Sequence, residues 1–295
     1  MRRALWRVAG RLTPVLAVDH DGFRLFVSTA DQHLGRRLFC YPTVRERDIK
    51  QAFDVLATIA PSEGPVAGRT VVEVGASVGN HTVELVKRYG ARSVVAIEPD
   101  PANCTLLRQN LLANHVSEDV SLLQIALSDE DGEVELELSP TNSGGHQVLA
   151  AGAAVDGAET ISVPARRFDS LVESAEVDLS STALIWMDAQ GHEAHILRGA
   201  EQLLGSDVPI VMEYWPEGLR SAGGLDTLHE IVATHYSHVI DLDSRGDGSP
   251  RLVPAERLEE LERENGWDRP GEHVDPATDL VLSRAIDQSW VPPGP

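Results

Sequence analysis

The stretch Val71-Val-Glu-Val-Gly-Ala-Ser-Val-Gly-Asn-His-Thr82 decides the fold. An apolar run interrupted only by Glu73 ends at Gly75, small residues follow to Gly79, and a helical pattern opens at Thr82, so strand, tight turn and helix succeed one another. Downstream the pattern recurs as strand Ser93–Ile97, helix Ala102–Asn114 and strand Val120–Ile125. It resumes with strand Leu184–Met187, helix Glu193–Leu204, strand Pro209–Glu213, a helix near Leu225–Thr234, and strands near His238–Leu242 and Leu280–Leu282. Strands apolar throughout that alternate with helices predict an α/β fold with a mostly parallel sheet covered on both faces. Residues 133–163 break the rhythm. Glu133–Leu138 alternates like a half-exposed strand and Ile161–Val163 returns beside it, a β-hairpin insertion around the aperiodic Pro140–Glu159. Upstream, Phe23–Val27 reads as a strand. Thr43-Val-Arg-Glu46 is a capping box for a helix carrying Ile49, Phe53, Leu56 and Ile59 on one face. The expected organisation is an N-terminal extension (1–65), one α/β domain (66–286) and a short tail (287–295), with Pro254–Gly271 a charged surface helix and loop.

The 295 residues include 25 Lys+Arg and 46 Asp+Glu, a formal charge of −21. That excess repels phosphate backbones, so nucleic acid is not expected as a partner and a small or carbohydrate-like molecule is. Cys40 and Cys104 read as reduced thiols of a cytoplasmic protein. Arg7 and Arg11 interrupt the apolar N-terminal run, so no export signal is read there, and no stretch is long enough for a transmembrane segment. Leu5, Val8 and Leu12 at helical spacing are expected to pack on the chain's own domain, the alternative being contact with a membrane surface or a partner chain.

Three chemistries use a strand, a small-residue turn and a helix. A dinucleotide fold needs a second glycine for close approach to a pyrophosphate, and Ser77 holds that place. Gly75-Ala-Ser-Val-Gly79 matches the nucleophile elbow G-x-S-x-G, which would make Ser77 the nucleophile of an α/β-hydrolase with Asp188 and His273. No oxyanion loop precedes it. The third is the S-adenosylmethionine (SAM) site of a class I methyltransferase: an acid in the first strand, G-x-x-x-G, and an acid at the end of the next strand. Glu73, Gly75, Gly79 and Glu98 supply these in order. SAM carries an ammonium, a sulfonium and a ribose diol, which call for carboxylates and a bare backbone turn. Glu98 is expected to accept two hydroxyl hydrogens.

The run Glu73–Thr82, then Ala96-Ile-Glu-Pro-Asp-Pro101, Leu107-Arg-Gln-Asn110 with Asn114, and Ala126-Leu-Ser-Asp129 resembles the FkbM-type SAM-dependent methyltransferases. So does Asp188-Ala-Gln-Gly-His-Glu193 with Ile196-Leu-Arg-Gly-Ala200, about a hundred residues on. The resemblance implies a Rossmann-like, seven-stranded sheet of order 3-2-1-4-5-7-6 and O-methylation of a sugar or secondary-metabolite hydroxyl. The cofactor-binding set it implies is Glu73, Gly75, Ala76, Ser77, Gly79, Asn80, His81 and Thr82 around the turn, Glu98, Pro99 and Asp100 beyond the next strand, and Ala126 and Asp188. Trp186, where the family often has a charged or small residue, is expected to affect the acceptor side.

An alcohol acceptor must lose its proton during methyl transfer, so a base is sought. Asp188 ends a core strand where α/β sites form. His192 on the following turn is the candidate base, with helix capping or ordering of Asp188 as the structural alternative. Glu213 is expected to bind the acceptor or polarise His192, and Glu193 to serve the helix. No metal is assigned, a hard ion held by Asp188, His192 and Glu213 being the alternative. His146 is expected in a solvated loop, a lid over the acceptor being the other reading. A SAM-binding module without catalysis remains the second function class.

Overall fold

The computed structural model describes residues 2–41, 47–59, 64–150, 157–242, 249–264 and 277–293. Helix α1 (Arg2–Leu12) precedes a hairpin of β1 (Val15–His20) and β2 (Phe23–Ser28), followed by α2 (Leu34–Cys40) and α3 (Arg47–Ile59). The capping box Thr43–Glu46 lies outside the described residues. Next come β3 (Thr70–Val74), α4 (Asn80–Lys87), β4 (Ser93–Ile97), α5 (Pro101–Ala113) and β5 (Val120–Leu123). Short strands β6 (Ala126–Leu127), β7 (Gly132–Leu138), β8 (Gln147–Val148) and β9 (Glu159–Arg166) then form a second sheet, ordered β6-β9-β7-β8, in which β7 and β9 pair antiparallel as the hairpin pattern predicts. After α6 (Phe168–Glu173) the main sheet resumes with β10 (Thr182–Met187), helices α7 (Glu193–Arg198) and α8 (Glu201–Leu204), β11 (Ile210–Tyr214), and helices α9 (Pro216–Ser221) and α10 (Leu225–His235). β12 (His238–Asp241), β13 (Arg251–Pro254), α11 (Glu260–Glu264) and β14 (Thr278–Leu282) close the chain.

The main sheet runs β13-β12-β14-β11-β10-β3-β4-β5. β5, β4, β3, β10 and β11 are parallel, and β14 enters antiparallel between β11 and β12. Without β13 this is the order 3-2-1-4-5-7-6. The sheet has eight strands rather than seven, because Arg251–Pro254 pairs with β12 at the edge. Four residues, mostly half-exposed, carry too little period-2 signal to be read as a strand. The predicted helix Glu193–Leu204 is two helices. A Cβ on Gly199 would lie 2.5 Å from the Ser128 carbonyl oxygen, so the chain is pressed against its neighbour there. The Asp169 carboxylate restarts the helix by accepting from the amides of Glu201 and Gln202 at 3.0 and 3.1 Å.

Each central strand buries both faces, which explains why its residues are mostly apolar. Val72, Val74, Ile185 and Met187 face a core completed by Phe168, Ile196 and Leu228. Val71, Leu184, Trp186 and Val211 face the other, which includes Trp6, Leu38 and Leu56 of the N-terminal extension. Trp186 therefore belongs to this core, with its ring against His81, and not to the acceptor side. Two asparagines stitch the extension to α5. Asn110 accepts from the Phe26 amide and donates to the Phe26 and Val78 carbonyls. Asn114 accepts from the Arg24 amide and donates to its carbonyl. They pair with the free edge of β2 as a strand would, and Asn110 also supports the turn at Val78.

Candidate active site

A cleft opens at the carboxyl ends of β3, β4 and β10, where an open α/β sheet places its ligands. The turn after β3 forms one wall. Gly75 has φ +81°, and a Cβ there would sit 1.8 Å from the Asp188 carbonyl oxygen, so only glycine lets the two strand ends meet. Ser77 also adopts a left-handed conformation, φ +48°. It lines the cleft and its Oγ is buried with no hydrogen-bond partner. A catalytic nucleophile needs a base within hydrogen-bond reach, so Ser77 is not the serine of a hydrolase elbow. His273 lies outside the described residues.

Glu98 lies on the cleft, almost fully buried. Its Oε1 accepts from the Asp100 amide at 2.9 Å and Asn103 Nδ2 at 3.2 Å, and its Oε2 from the Ser77 amide at 2.8 Å. A carboxylate offers about four lone-pair directions, so one remains, on Oε2. The expected double acceptance of ligand hydroxyls is thus reduced to one, because the protein's own turn takes the rest. Burial raises its pKa to about 7, against these hydrogen bonds. Glu73 does not reach the cleft. It is fully desolvated behind the turn, which raises its pKa to about 7, and it accepts a 2.5 Å hydrogen bond from Thr82 Oγ1. Gly75, Ser77, Glu98, Pro99, Ala126, Asp188 and His192 line the cleft, whereas Ala76, Gly79, Asn80, His81, Thr82 and Asp100 do not.

The opposite wall is the turn after β10. Gln190, left-handed at φ +52°, extends its Nε2 to Asp188 Oδ1 at 2.6 Å and Glu213 Oε2 at 3.1 Å, bridging two carboxylates. Glu213 therefore faces Gln190 rather than polarising His192. Glu193, wholly buried, accepts from the Ala189 and Gly191 amides and so fixes the turn, and burial raises its pKa to about 7. His192 occupies the N-cap position of α7 without a side-chain capping bond. Its Nε2 lies 3.0 Å from Ser128 Oγ, and Ser128 donates to Asp129 Oδ1 at 3.2 Å. The single hydroxyl hydrogen goes to the carboxylate, which accepts only, so Nε2 carries a proton and Nδ1 is bare. Nδ1 is buried without a partner. Burial, and then the stacked His195, lowers the His192 pKa to about 4. Among the described residues no group of three ligand side chains is placed to hold a metal ion.

The loop Ser139–His146 covers the cleft. His146 lines it, its Nδ1 accepts from the Ser139 amide, and its Nε2 lies 3.6 Å from Asp100. This histidine is not in a solvated loop. Ser143 donates to Asp31 of the N-terminal extension, and the Ser143 carbonyl accepts from Asn103 Nδ2 at 2.7 Å. The tethers of Ser143 carried no readable sequence signal, since each acts through a fold-dependent neighbour, whereas Gln190 and Ser128 stand inside the motifs of the family resemblance without being assigned a role there.

The strand order, a turn closed to a Cβ at Gly75, an orphan Ser77 hydroxyl and the residual acceptor of Glu98 fit SAM, the cofactor of the class I methyltransferases. The FkbM methyltransferase domain matches residues 73–240, more than half of the sequence, and the chain belongs to that family. It is 26% identical over 160 residues to the 2-O-methyltransferase NoeI of Sinorhizobium fredii, covering 49% of this chain and 62% of that protein. The methyltransferase sdnD of Sordaria araneosa is 24% identical over 176 residues, 51% of this chain and 68% of that one. The match to NoeI thus spans less than two thirds of its length. A methyltransferase FkbM from Methylobacillus flagellatus superposes with a TM-score of 0.43 at 16% identity, over 72% of this chain and 43% of that one. No described helix is long and apolar enough to cross a membrane.

Proposed function

We propose that this methyltransferase acts on a hydroxyl oxygen of a small sugar-like or secondary-metabolite acceptor, with His192 as the base and Asp188 beside it. The observation that carries this reading is the bare, buried Nδ1 of a neutral imidazole on the cleft wall. SAM supplies an electrophilic methyl group when bound. Gly75, Ser77, Glu98, Pro99, Ala126 and Asp188 hold it, while Glu73, Ala76, Gly79, Asn80, His81, Thr82 and Asp100 shape the turns. His192 Nδ1 accepts the hydrogen of the acceptor hydroxyl, and Ser128 and Asp129 offset the positive charge that builds on the ring. A pKa near 4 keeps His192 unprotonated at neutral pH, so no acid form competes for the acceptor. Asp188 orients the acceptor, and Glu213, which does not line the cleft, helps to hold Gln190 beside it. The name 2-O-methyltransferase of the NoeI relative supports oxygen as the acceptor atom.

Turnover measured with radiolabelled SAM over a panel of monosaccharides and nucleotide sugars tests the assignment. His192→Ala is expected to lose roughly 10²–10⁴-fold in kcat while calorimetry finds SAM affinity within a fewfold of wild type. Unchanged turnover, or a methyl group found on nitrogen by mass spectrometry, would overturn it.

A further inference from the structure

Helix α1 is turned the opposite way from an ordinary surface helix. Trp6 alone is buried, inserted beside Phe39 with its ring against Gly35, while Leu5, Val8 and Leu12 are 50%, 51% and 80% exposed. At 100° per residue these three side chains fall within about 60° of arc. Arg7 and Arg11 border that stripe on one side and Arg2 on the other. Residues 1–12 hold four arginines and no acid, in a chain whose net charge is −21. Arg7 and Arg11 form no ion pair with any described residue. Arg2 and Arg3 turn back to the Phe39 carbonyl and the Tyr41 hydroxyl.

We propose that α1 is a docking surface for an anionic lipid bilayer, lying in the interface with Leu5, Val8 and Leu12 among the upper acyl chains and the flanking arginines at the phosphates. Charge decides the occupant. An anionic surface attracts this basic helix although it repels the molecule as a whole, and the field acts only within about a Debye length, roughly 8 Å at physiological salt. A second copy meeting the same face would set arginines against arginines. A helix about 16 Å long also cannot supply the ~800 Å² per partner of a stable dimer. The apolar stripe adds the part of the attraction that salt does not screen.

Flotation of the full chain with phosphatidylcholine vesicles, with and without 30–40% phosphatidylglycerol, tests this. Wild type is expected to float with the anionic vesicles and at least tenfold less with the neutral ones. Raising NaCl to about 0.5 M should release most of it. Leu5→Ser/Val8→Ser/Leu12→Ser changes only exposed side chains and should reduce flotation at least tenfold, with SAM affinity and melting temperature unchanged. Arg7→Glu/Arg11→Glu should abolish the preference for anionic lipid. Equal flotation with both vesicles, none at millimolar lipid, or triple-serine flotation equal to wild type would each overturn the proposal. So would sedimentation showing a dimer that the serine variant dissolves, without vesicle binding.

Discussion

The turns after β3 and β10 are built from the same parts and end in opposite states. Each follows a buried parallel strand, each has a non-glycine residue in the left-handed region (Ser77 and Gln190), and each has a glycine pressed against other backbone (Gly75 on Asp188, Gly191 on Gly218). Each is also held by a buried carboxylate that accepts from backbone amides, Glu98 for the first and Glu193 for the second. In the first turn the left-handed side chain is left without a partner, and in the second it clamps two carboxylates. Fixing the backbone is the shared requirement. What the projecting side chain does then separates a turn with an unpartnered hydroxyl on the cleft from one that sets charged groups in place.

The sharpest way to break the parallel is Gly75→Ala. Left-handed strain plus a backbone overlap is worth on the order of 4 kcal/mol, so calorimetry should find no SAM binding and thermal melting a midpoint roughly 8–16 °C lower. Glu193→Ala leaves one buried and one half-buried amide unpaired, a loss of about 3 kcal/mol. Denaturant unfolding should report it, with the damage confined to the second turn. Gln190→Asn keeps a residue that tolerates the left-handed region but is too short to bridge the carboxylates. It should reduce kcat/KM about tenfold to a hundredfold with little change in stability.

The parallel also predicts a pH dependence. Burial holds Glu73, Glu98 and Glu193 at a pKa of about 7, above the ordinary 4.5. The folded chain therefore binds more protons than the unfolded one between those values, and stability falls as pH rises through that window. His192, lowered from 6.5 to about 4, acts in reverse below pH 6.5 and offsets part of the gain. The melting midpoint of the ligand-free chain should be higher at pH 6 than at pH 8. Glu73→Gln, which can still accept from Thr82, should remove about 1 kcal/mol of that difference. The smallest effect belongs to Ser77→Ala, a loss of less than tenfold in SAM affinity by calorimetry with no change in melting.

Much of the fold was legible because burial on both faces writes itself into unbroken runs such as Val94–Ile97 and Leu184–Met187. The strand order came from the family resemblance, and spacing placed the glycine turn and Glu98 on the same cleft. Sequence could not separate the residues lining the cleft from those behind it, since Glu73 and Glu98 are both acids in core strands and differ only in which neighbour closes over them. The break at Gly199 was hidden because its cause, the Ser128 carbonyl, lies some seventy residues away. The stripe of α1 faces outward, against the sequence expectation, for a related reason. Helical periodicity reports that one face is apolar, and it took Trp6 and Gly35 to fix which face points inward.

Asp31 belongs to the N-terminal extension, yet its carboxylate holds Ser143 over the cofactor cleft. With the cofactor in that cleft as proposed, the seam that encloses it is anchored on a segment that contributes no lining residue of its own. Asp31→Ala is then expected to speed product release in stopped-flow measurements before it alters any step at His192.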